Sequence, residues 1–247
     1  MKLKVLGSSS KGNCYILEND TEALIIECGV NFGMVKQALN FNLRKVVGCL
    51  MTHEHQDHSR AVIDVMDSGI NVWASPGTHG AVRVDKLHHR AKWIRPNETT
   101  QIGGFKVMAF DVRHDATEPL GFLINHPETG NILFITDSYY VPYTFKNLHN
   151  VIVEANYSQE IIREKQERGS LPKFLLDRIL ESHMSLETCL DLLKANDLTQ
   201  VNNIVLIHLS DGNSNAGMFQ SSVTAATGKT VHIADAGIII NLNKTPF

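Results

Sequence analysis

The stretch Thr52-His53-Glu54-His55-Gln56-Asp57-His58 follows directly on the apolar run Val46-Val47-Gly48-Cys49-Leu50-Met51. That run is short and β-branched at its start, which reads as a buried strand. The chain therefore leaves a strand and at once presents three imidazoles and two carboxylates. His53 and His55 are two residues apart, a spacing that puts both rings on one side of extended backbone. On a helix the same spacing would turn them away from each other. The stretch reads as an extended loop. It does not fit the helical H-E-x-x-H pattern, whose second His would fall on Asp57. Imidazole nitrogen and carboxylate oxygen at a strand end make a site for one or two metal ions, with zinc, manganese and iron all suited to such donors.

The same placement recurs further along. Residues 131–136 form an apolar run that ends on Asp137, residues 151–153 one that ends on Glu154, and residues 203–207 one that ends on His208. Residues 105–112 alternate, and His114 continues the face of Met108, Phe110 and Val112. Where strand ends meet along one sheet edge, residues placed like this converge on a common site.

Around these strands the pattern mixes both element types. Residues 2–6, 14–17, 23–28 and 71–74 read as strands, and residues 7–13 and 75–77 as turn-rich loops. Gly7 and Gly12 have the spacing of a phosphate-binding loop, but Asn13-Cys14 stand where Lys and Ser/Thr are required, so this loop reads as structural, with lining a site as the alternative. Helices are expected over residues 32–39, over residues 59–67 with Ser59 as cap, and over residues 78–90. The last of these carries His79, His88 and His89, which lack a strand-end placement and read as surface histidines. Two more helices fit between Glu154 and His208. Pro172 would sit in the first turn of one, and Ser185 would cap the other, whose apolar face is Leu186, Cys189, Leu190 and Leu193. His183 lies in the joint between them.

Composition bounds the function. A chain of 247 residues can bury a large core and reads as one domain, 1–247. A net charge of -3 supplies no global basic field for nucleic acid, although bound cations would reverse the sign locally. Basic residues Arg163, Lys165, Arg168, Lys173 and Arg178 are interleaved with acids, as on a solvated face, with contact to a phosphate backbone as the alternative. The four cysteines make no C-x-x-C pair and read as reduced core thiols of a cytoplasmic protein. The N-terminus reaches Gly7 too soon for a secretory h-region, and no apolar run is long enough for a bilayer, so no membrane role is expected.

His53-x-His55-x-Asp57-His58, followed by His114, Asp137 and His208, resembles the ligand set of the metallo-β-lactamase fold. Within that fold the chain is similar to the YycJ/WalJ branch, through Gly7-Ser8-Ser9-Ser10-Lys11-Gly12-Asn13, His114-Asp115-Ala116, Glu154-Ala155-Asn156, Ser182-His183-Met184-Ser185 and Ile207-His208-Leu209-Ser210. Relatives of that branch include RNase Z and PhnP. Glu27-Cys28-Gly29 stands where Asp-x-Gly is usual, and Ser182 replaces a Gly common before the motif His.

The resemblance implies an α+β fold: an αββα sandwich of two mixed sheets flanked by helices. It implies two divalent metal ions, Zn(2+) with Mn(2+) as an alternative. His53, His55 and His114 would hold the first, Asp57, His58 and His208 the second, and Asp137 would bridge them. It further implies a phosphodiester hydrolase, nuclease-like and exonuclease-like, with a nucleic acid or nucleotide as substrate. Asp57 would orient the attacking water, and His183, paired with Glu154, would protonate the leaving group. The competing readings are a small-substrate metallohydrolase such as a cyclic-nucleotide phosphodiesterase, and a non-catalytic metal- or nucleic-acid-binding protein. Protein partners stay open, a homodimer among them.

Overall fold

In the computed structural model, which describes residues 1–84 and 89–245, the first half of the chain builds one sheet and the second half another. The first half contributes β1 (Lys2–Ser9), β2 (Gly12–Glu18), β3 (Ala23–Ile26), α1 (Phe32–Ala38), β4 (Val46–Leu50), α2 (Gln56–Ser59), α3 (Val62–Asp67), β5 (Val72–Ala74), α4 (Pro76–Val82) and β6 (Ala91–Trp93). The second half contributes β7 (Thr99–Ile102), β8 (Phe105–Asp111), β9 (Leu120–His126), β10 (Gly130–Ile135), β11 (Leu148–Glu154), α5 (Gln159–Glu167), α6 (Lys173–Ser182), α7 (Leu186–Ala195), β12 (Asn203–Ile207), α8 (Ala216–Thr227) and β13 (Thr230–Ile233). The last strand, β14 (Ile239–Asn241), returns to the first sheet and pairs antiparallel with β1. The strand orders are β14-β1-β2-β3-β4-β5-β6 and β13-β12-β11-β10-β9-β8-β7. In each sheet the hairpin-linked strands are antiparallel, while β3 to β6 and β10 to β13 run parallel.

Alternation along the strands explains why the two sheets pack face to face with helices outside. Ile152 and Val205 point into the space between the sheets, with Leu3, Tyr15, Leu24, Phe105, Phe122 and Phe134. Their neighbours Val151, Val153, Ile204 and Leu206 point outward, beneath Leu186, Cys189 and Leu193 of α7 and Phe219 and Val223 of α8. On the other sheet Ile16, Ile25 and Cys49 face outward beneath Val35 and Val65. A central strand covered on both faces must be apolar throughout, which is why these segments read as continuous runs. This is the αββα sandwich of two mixed sheets.

Several local expectations are corrected. The loop expected over residues 7–13 is mostly strand. β1 and β2 pair through Gly7↔Cys14 and Ser9↔Gly12, leaving only Ser10 and Lys11 at the turn. Glycine is required there because a Cβ on Gly7 would lie 2.4 Å from the Gly12 carbonyl oxygen. Ser59 does not cap the following helix. It ends α2, and its hydroxyl donates to the Glu54 carbonyl at 2.7 Å, while α3 starts afresh at Val62. Residues 75–77 open a helix instead of a turn, with Ser75 accepting from Thr78 N and Pro76 at the first position. That helix stops at Val82 because Arg83 adopts a left-handed conformation, φ 53°. Three helices, not two, lie between Glu154 and His208. The additional one, α5, buries only Ile162 and so leaves little apolar periodicity to read. Pro172 is the cap residue of α6, one position before its first turn. On α7 the buried face is Leu186, Cys189, Leu192 and Leu193, with Leu190 at its margin.

Candidate active site

The strand directions decide where the polar side chains meet. β3, β4, β8, β10, β11 and β12 all point their C-terminal ends to the same edge of the sandwich. Glu27 follows β3, His53 follows β4, His114 follows β8, Asp137 follows β10, Glu154 ends β11 and His208 follows β12. Three of these turns are left-handed at a non-glycine residue: Glu27 (φ 64°), Asp137 (φ 45°) and His208 (φ 54°). Such backbone is held only where its surroundings enforce it, and here it turns each side chain back over the sheet edge.

After β4 the chain stays extended through His55 and then turns into α2, so only half of the expected extended loop is extended. The rings of His53 and His55 come from the extended part and lie 4.7 Å apart at their centroids. Asp57 and His58 come from the first turn of α2, whose backbone bonds run from His58 N and Ser59 N to the His55 carbonyl.

Potential ligand atoms of His53, His55 and His114 lie within 4.8 Å of one another, as do those of Asp57, His58 and His208. Asp137 joins the two sets: its Oδ2 is 2.6 Å from His58 Nε2 and 3.9 Å from His53 Nε2. Asp137, Glu154, His183 and His208 make a further such group. His183 Nδ1 is 2.7 Å from Glu154 Oε1 and 2.9 Å from Asp137 Oδ1. All nine residues singled out in the sequence therefore stand at one place.

Among the described residues, no other histidine belongs to such a group. His79 is buried, a correction to its reading as a surface residue. Its Nε2 lies 3.2 Å from the Lys92 carbonyl oxygen. His89 is exposed, and His88 lies outside the described residues.

Neighbouring groups set the orientation of these rings. His53 Nδ1 is 2.9 Å from the Thr52 hydroxyl, and His114 Nδ1 lies 2.8 Å from the Ser182 carbonyl oxygen, to which it can donate. Both leave Nε2 to face the centre. Glu27 Oε2 is 3.4 Å from His58 Nδ1, and the Glu27 carboxylate also accepts from Thr52 N. The Asn13 amide is 3.1 Å from His58 Nε2 and donates to Asp57 Oδ2 at 3.3 Å. The Asn156 amide is 3.1 Å from His208 Nδ1. Glu54 accepts from Thr117 N at 2.8 Å and from its hydroxyl at 2.6 Å, tying the His114 loop to the His53 loop. Asn13 and Asn156 carry the family resemblance in the sequence, but their contacts to the centre and the Glu54–Thr117 clamp are not expected from it.

Electrostatics follow from burial opposed by close charges. Burial acts to raise the Asp57 carboxyl, but hydrogen bonds from His208 and His58 outweigh it and hold the acid well below the usual carboxylate range. Asp137 behaves alike, its burial outweighed by the His208 and His58 charges. Burial lowers His53 and His114. At His58, His208 and His183 burial is overcome by adjacent carboxylates. The Asp137 and Glu27 charges raise His58, the Asp137 charge takes His208 up to about 9, and the Glu154 charge takes His183 up to about 10.

The donor set fits divalent cations. His53 Nε2 is buried and has no hydrogen-bond partner among the described residues, although it faces Asp137. A lone ring nitrogen left unpaired in a dry interior is costly, and a cation between it and the carboxylate would satisfy both.

The family described as the beta-lactamase superfamily domain matches residues 23–209. Exodeoxyribonuclease YycJ of Bacillus anthracis is 28% identical over 239 residues, 91% of this chain and 88% of that protein. Zn(2+)-bound PqqB from Methylobacterium extorquens superposes with a TM-score of 0.72 at 16% identity, covering 98% of this chain and 100% of that one. The short form of human tRNase Z superposes with a TM-score of 0.66 at 16% identity, covering 98% and 99%. Residues 23–209 span the strands and turns that assemble the centre, and on that match the chain belongs to the beta-lactamase superfamily.

Proposed function

We propose that this chain is a metal-dependent hydrolase of phosphodiester bonds, an exonuclease-like nuclease acting on DNA. The observation that carries the reading is the pair of three-donor groups joined by Asp137. In this reading His53, His55 and His114 hold one divalent ion, Asp57, His58 and His208 a second, and Asp137 lies between them. The imidazole-rich set suits Zn(2+), and Mn(2+) is compatible. Ions bound there supply Lewis acidity toward the phosphoryl oxygens and activate the attacking water. The 28% identity to a protein named as an exodeoxyribonuclease supports DNA as the substrate. Four buried, unpaired cysteines suit a reducing, cytoplasmic setting.

The chain's own residues supply orientation and proton transfer. Asp57 is fixed by Asn13, His58 and His208, where its carboxylate can accept a hydrogen bond from the attacking water. His183 is held at Nδ1 by Glu154, which keeps the ring charged and leaves Nε2 to give a proton to the leaving oxygen.

The test combines metal content and turnover. Purified protein is expected to carry close to two divalent ions per chain, and chelation should abolish hydrolysis of single-stranded DNA and of bis-p-nitrophenyl phosphate. Asp57→Ala should lower turnover at least about a hundredfold with circular dichroism unchanged, since Asp57 sits at the surface of the core. Protein that contains no metal and ignores the chelator would rule the proposal out.

A further inference from the structure

Three residues outside the donor groups close a ring of hydrogen bonds around one group alone. His208 N donates to the Ser8 hydroxyl at 2.9 Å. The Ser8 and Tyr15 hydroxyls lie 2.8 Å apart, and the Tyr15 hydroxyl donates to Asn13 Oδ1 at 3.3 Å. Since Tyr15 gives its single proton to Asn13, Ser8 is the donor to Tyr15. The Asn13 amide nitrogen donates to Asp57 Oδ2 at 3.3 Å, and that oxygen lies 3.4 Å from His208 Nε2. The ring starts at the backbone of His208 and returns to its side chain through Asp57.

Donor and acceptor chemistry admits one arrangement of this ring. Turned over, Asn13 would set its oxygen against the Ser9 carbonyl, 3.1 Å from the amide nitrogen, and against the Asp57 carboxylate, acceptor facing acceptor. The Tyr15 O–H on the other side holds the amide the right way round. Tyr15 is fully buried between the sheets, its ring edge-on to Phe134 at a centroid distance of 5.5 Å. Burial pushes its phenol well above the usual range, so it stays protonated and stays a donor. The core cluster it belongs to is made of side chains such as Leu3, Leu24 and Phe122. Such a core would be filled as well by Phe, without an oxygen that must find partners in a dry interior.

Among the described residues, the first donor group is held by other means. His53 Nδ1 meets the Thr52 hydroxyl and His114 Nδ1 the Ser182 carbonyl, and no hydrogen bond links either ring to Ser8, Tyr15 or Asn13. We propose that Ser8, Tyr15 and Asn13 are positioning residues for the second group, Asp57, His58 and His208, and set its affinity for an ion without acting on the first. Donors already fixed in place lose little freedom when a cation arrives, and deleting the groups that fix them typically costs about 10- to 100-fold in metal affinity. The inference rests on the metal-centre reading and adds that one buried phenol oxygen supports one half of that centre.

The experiment titrates Zn(2+) alone by calorimetry into the full chain freed of metal by a chelator. Two backgrounds separate the groups: His55→Ala breaks the first, and Asp57→Ala breaks the second. Tyr15→Phe, which removes one oxygen and keeps the ring, should weaken binding of the remaining ion about 10- to 100-fold in the His55→Ala background. In the Asp57→Ala background it should leave the affinity unchanged. Ser8→Ala should act as Tyr15→Phe does, while Ser8→Thr, which keeps the hydroxyl, should bind as the unaltered chain. Phe105→Leu loosens the same core without removing any of these hydrogen bonds and should change neither affinity. Equal weakening in both backgrounds, or none in the His55→Ala background, would overturn the inference and leave the metal-centre reading standing. An unaltered chain that takes up no ion would overturn both together.

Discussion

Glu154 divides its two oxygens between two tasks. Oε2 accepts from the backbone N–H groups of Ser138 and Met184, both at 3.1 Å, and Oε1 lies 2.7 Å from His183 Nδ1. A fully buried carboxylate satisfied in this way is rigid, and so is the ring it holds. His183→Ala should therefore separate proton transfer from metal binding. An ordinary nucleotide ester leaves as an alkoxide and needs a proton, whereas p-nitrophenolate leaves without one. The expected loss is on the order of 10²–10⁴ on the nucleotide ester and only a few-fold on the nitrophenyl ester, with metal content unchanged. Equal losses on the two esters, or loss of an ion, would assign His183 another role. This residue was legible from its surroundings in sequence, Ser182-His183-Met184-Ser185, through resemblance alone. No local pattern pairs a helix C-cap with a carboxylate 29 positions earlier.

At the scale of elements, the centre depends on how closely the turn after β3 approaches α2. A Cβ on Gly29 would lie 1.6 Å from the Asp57 carbonyl oxygen, and both partners are backbone, so neither can swing away. The Gly29 N–H also donates to the Asn13 carbonyl at 2.9 Å, and Cys28 N to the His58 carbonyl at 2.8 Å. Gly29→Ala should displace Asp57 and His58 together. The measurable outcome is loss of at least one bound ion per chain with most secondary structure kept. A variant that retains both ions would show that α2 can move without harm. The strand ends carrying Asp137, Glu154 and His208 could be read because each closes an apolar run. The His53–His58 cluster could be read because its donors are local. Glu27 and Asn13 could not be assigned their contacts, since these arise from segments 25 to 45 positions away that only the assembled sheet brings alongside. Helix boundaries failed where a polar surface helix such as α5 leaves one buried side chain.

At the scale of the whole molecule, a net charge of -3 gives no long-range attraction for a polyanion, so binding of a DNA strand must draw on a local basic surface. The structure sorts the five basic side chains of α5 and α6 and their flanks. Lys165 is committed to Asn213 Oδ1 at 2.9 Å, and Arg168 pairs with Glu164 at 3.3 Å. Arg163, Lys173 and Arg178 are exposed, and no ion pair engages them among the described residues. Lys173 and Arg178 lie on α6, whose Leu175 and Ile179 line a cavity with His183, and Arg163 lies on α5. If these three contact phosphates, each releases condensed counterions from the strand. On single strands the slope of log K against log salt is about −0.7 per contact, so three contacts contribute about −2. Replacing all three by alanine in the Asp57→Ala background, where the strand is not consumed, should flatten the measured slope by about 2. Affinity in low salt should fall with it, while affinity in high salt changes little. A slope that stays as steep as before would place the phosphate track elsewhere on the surface, with Lys11 and Arg60, which line a cavity beside the β1–β2 turn, as the next residues to replace.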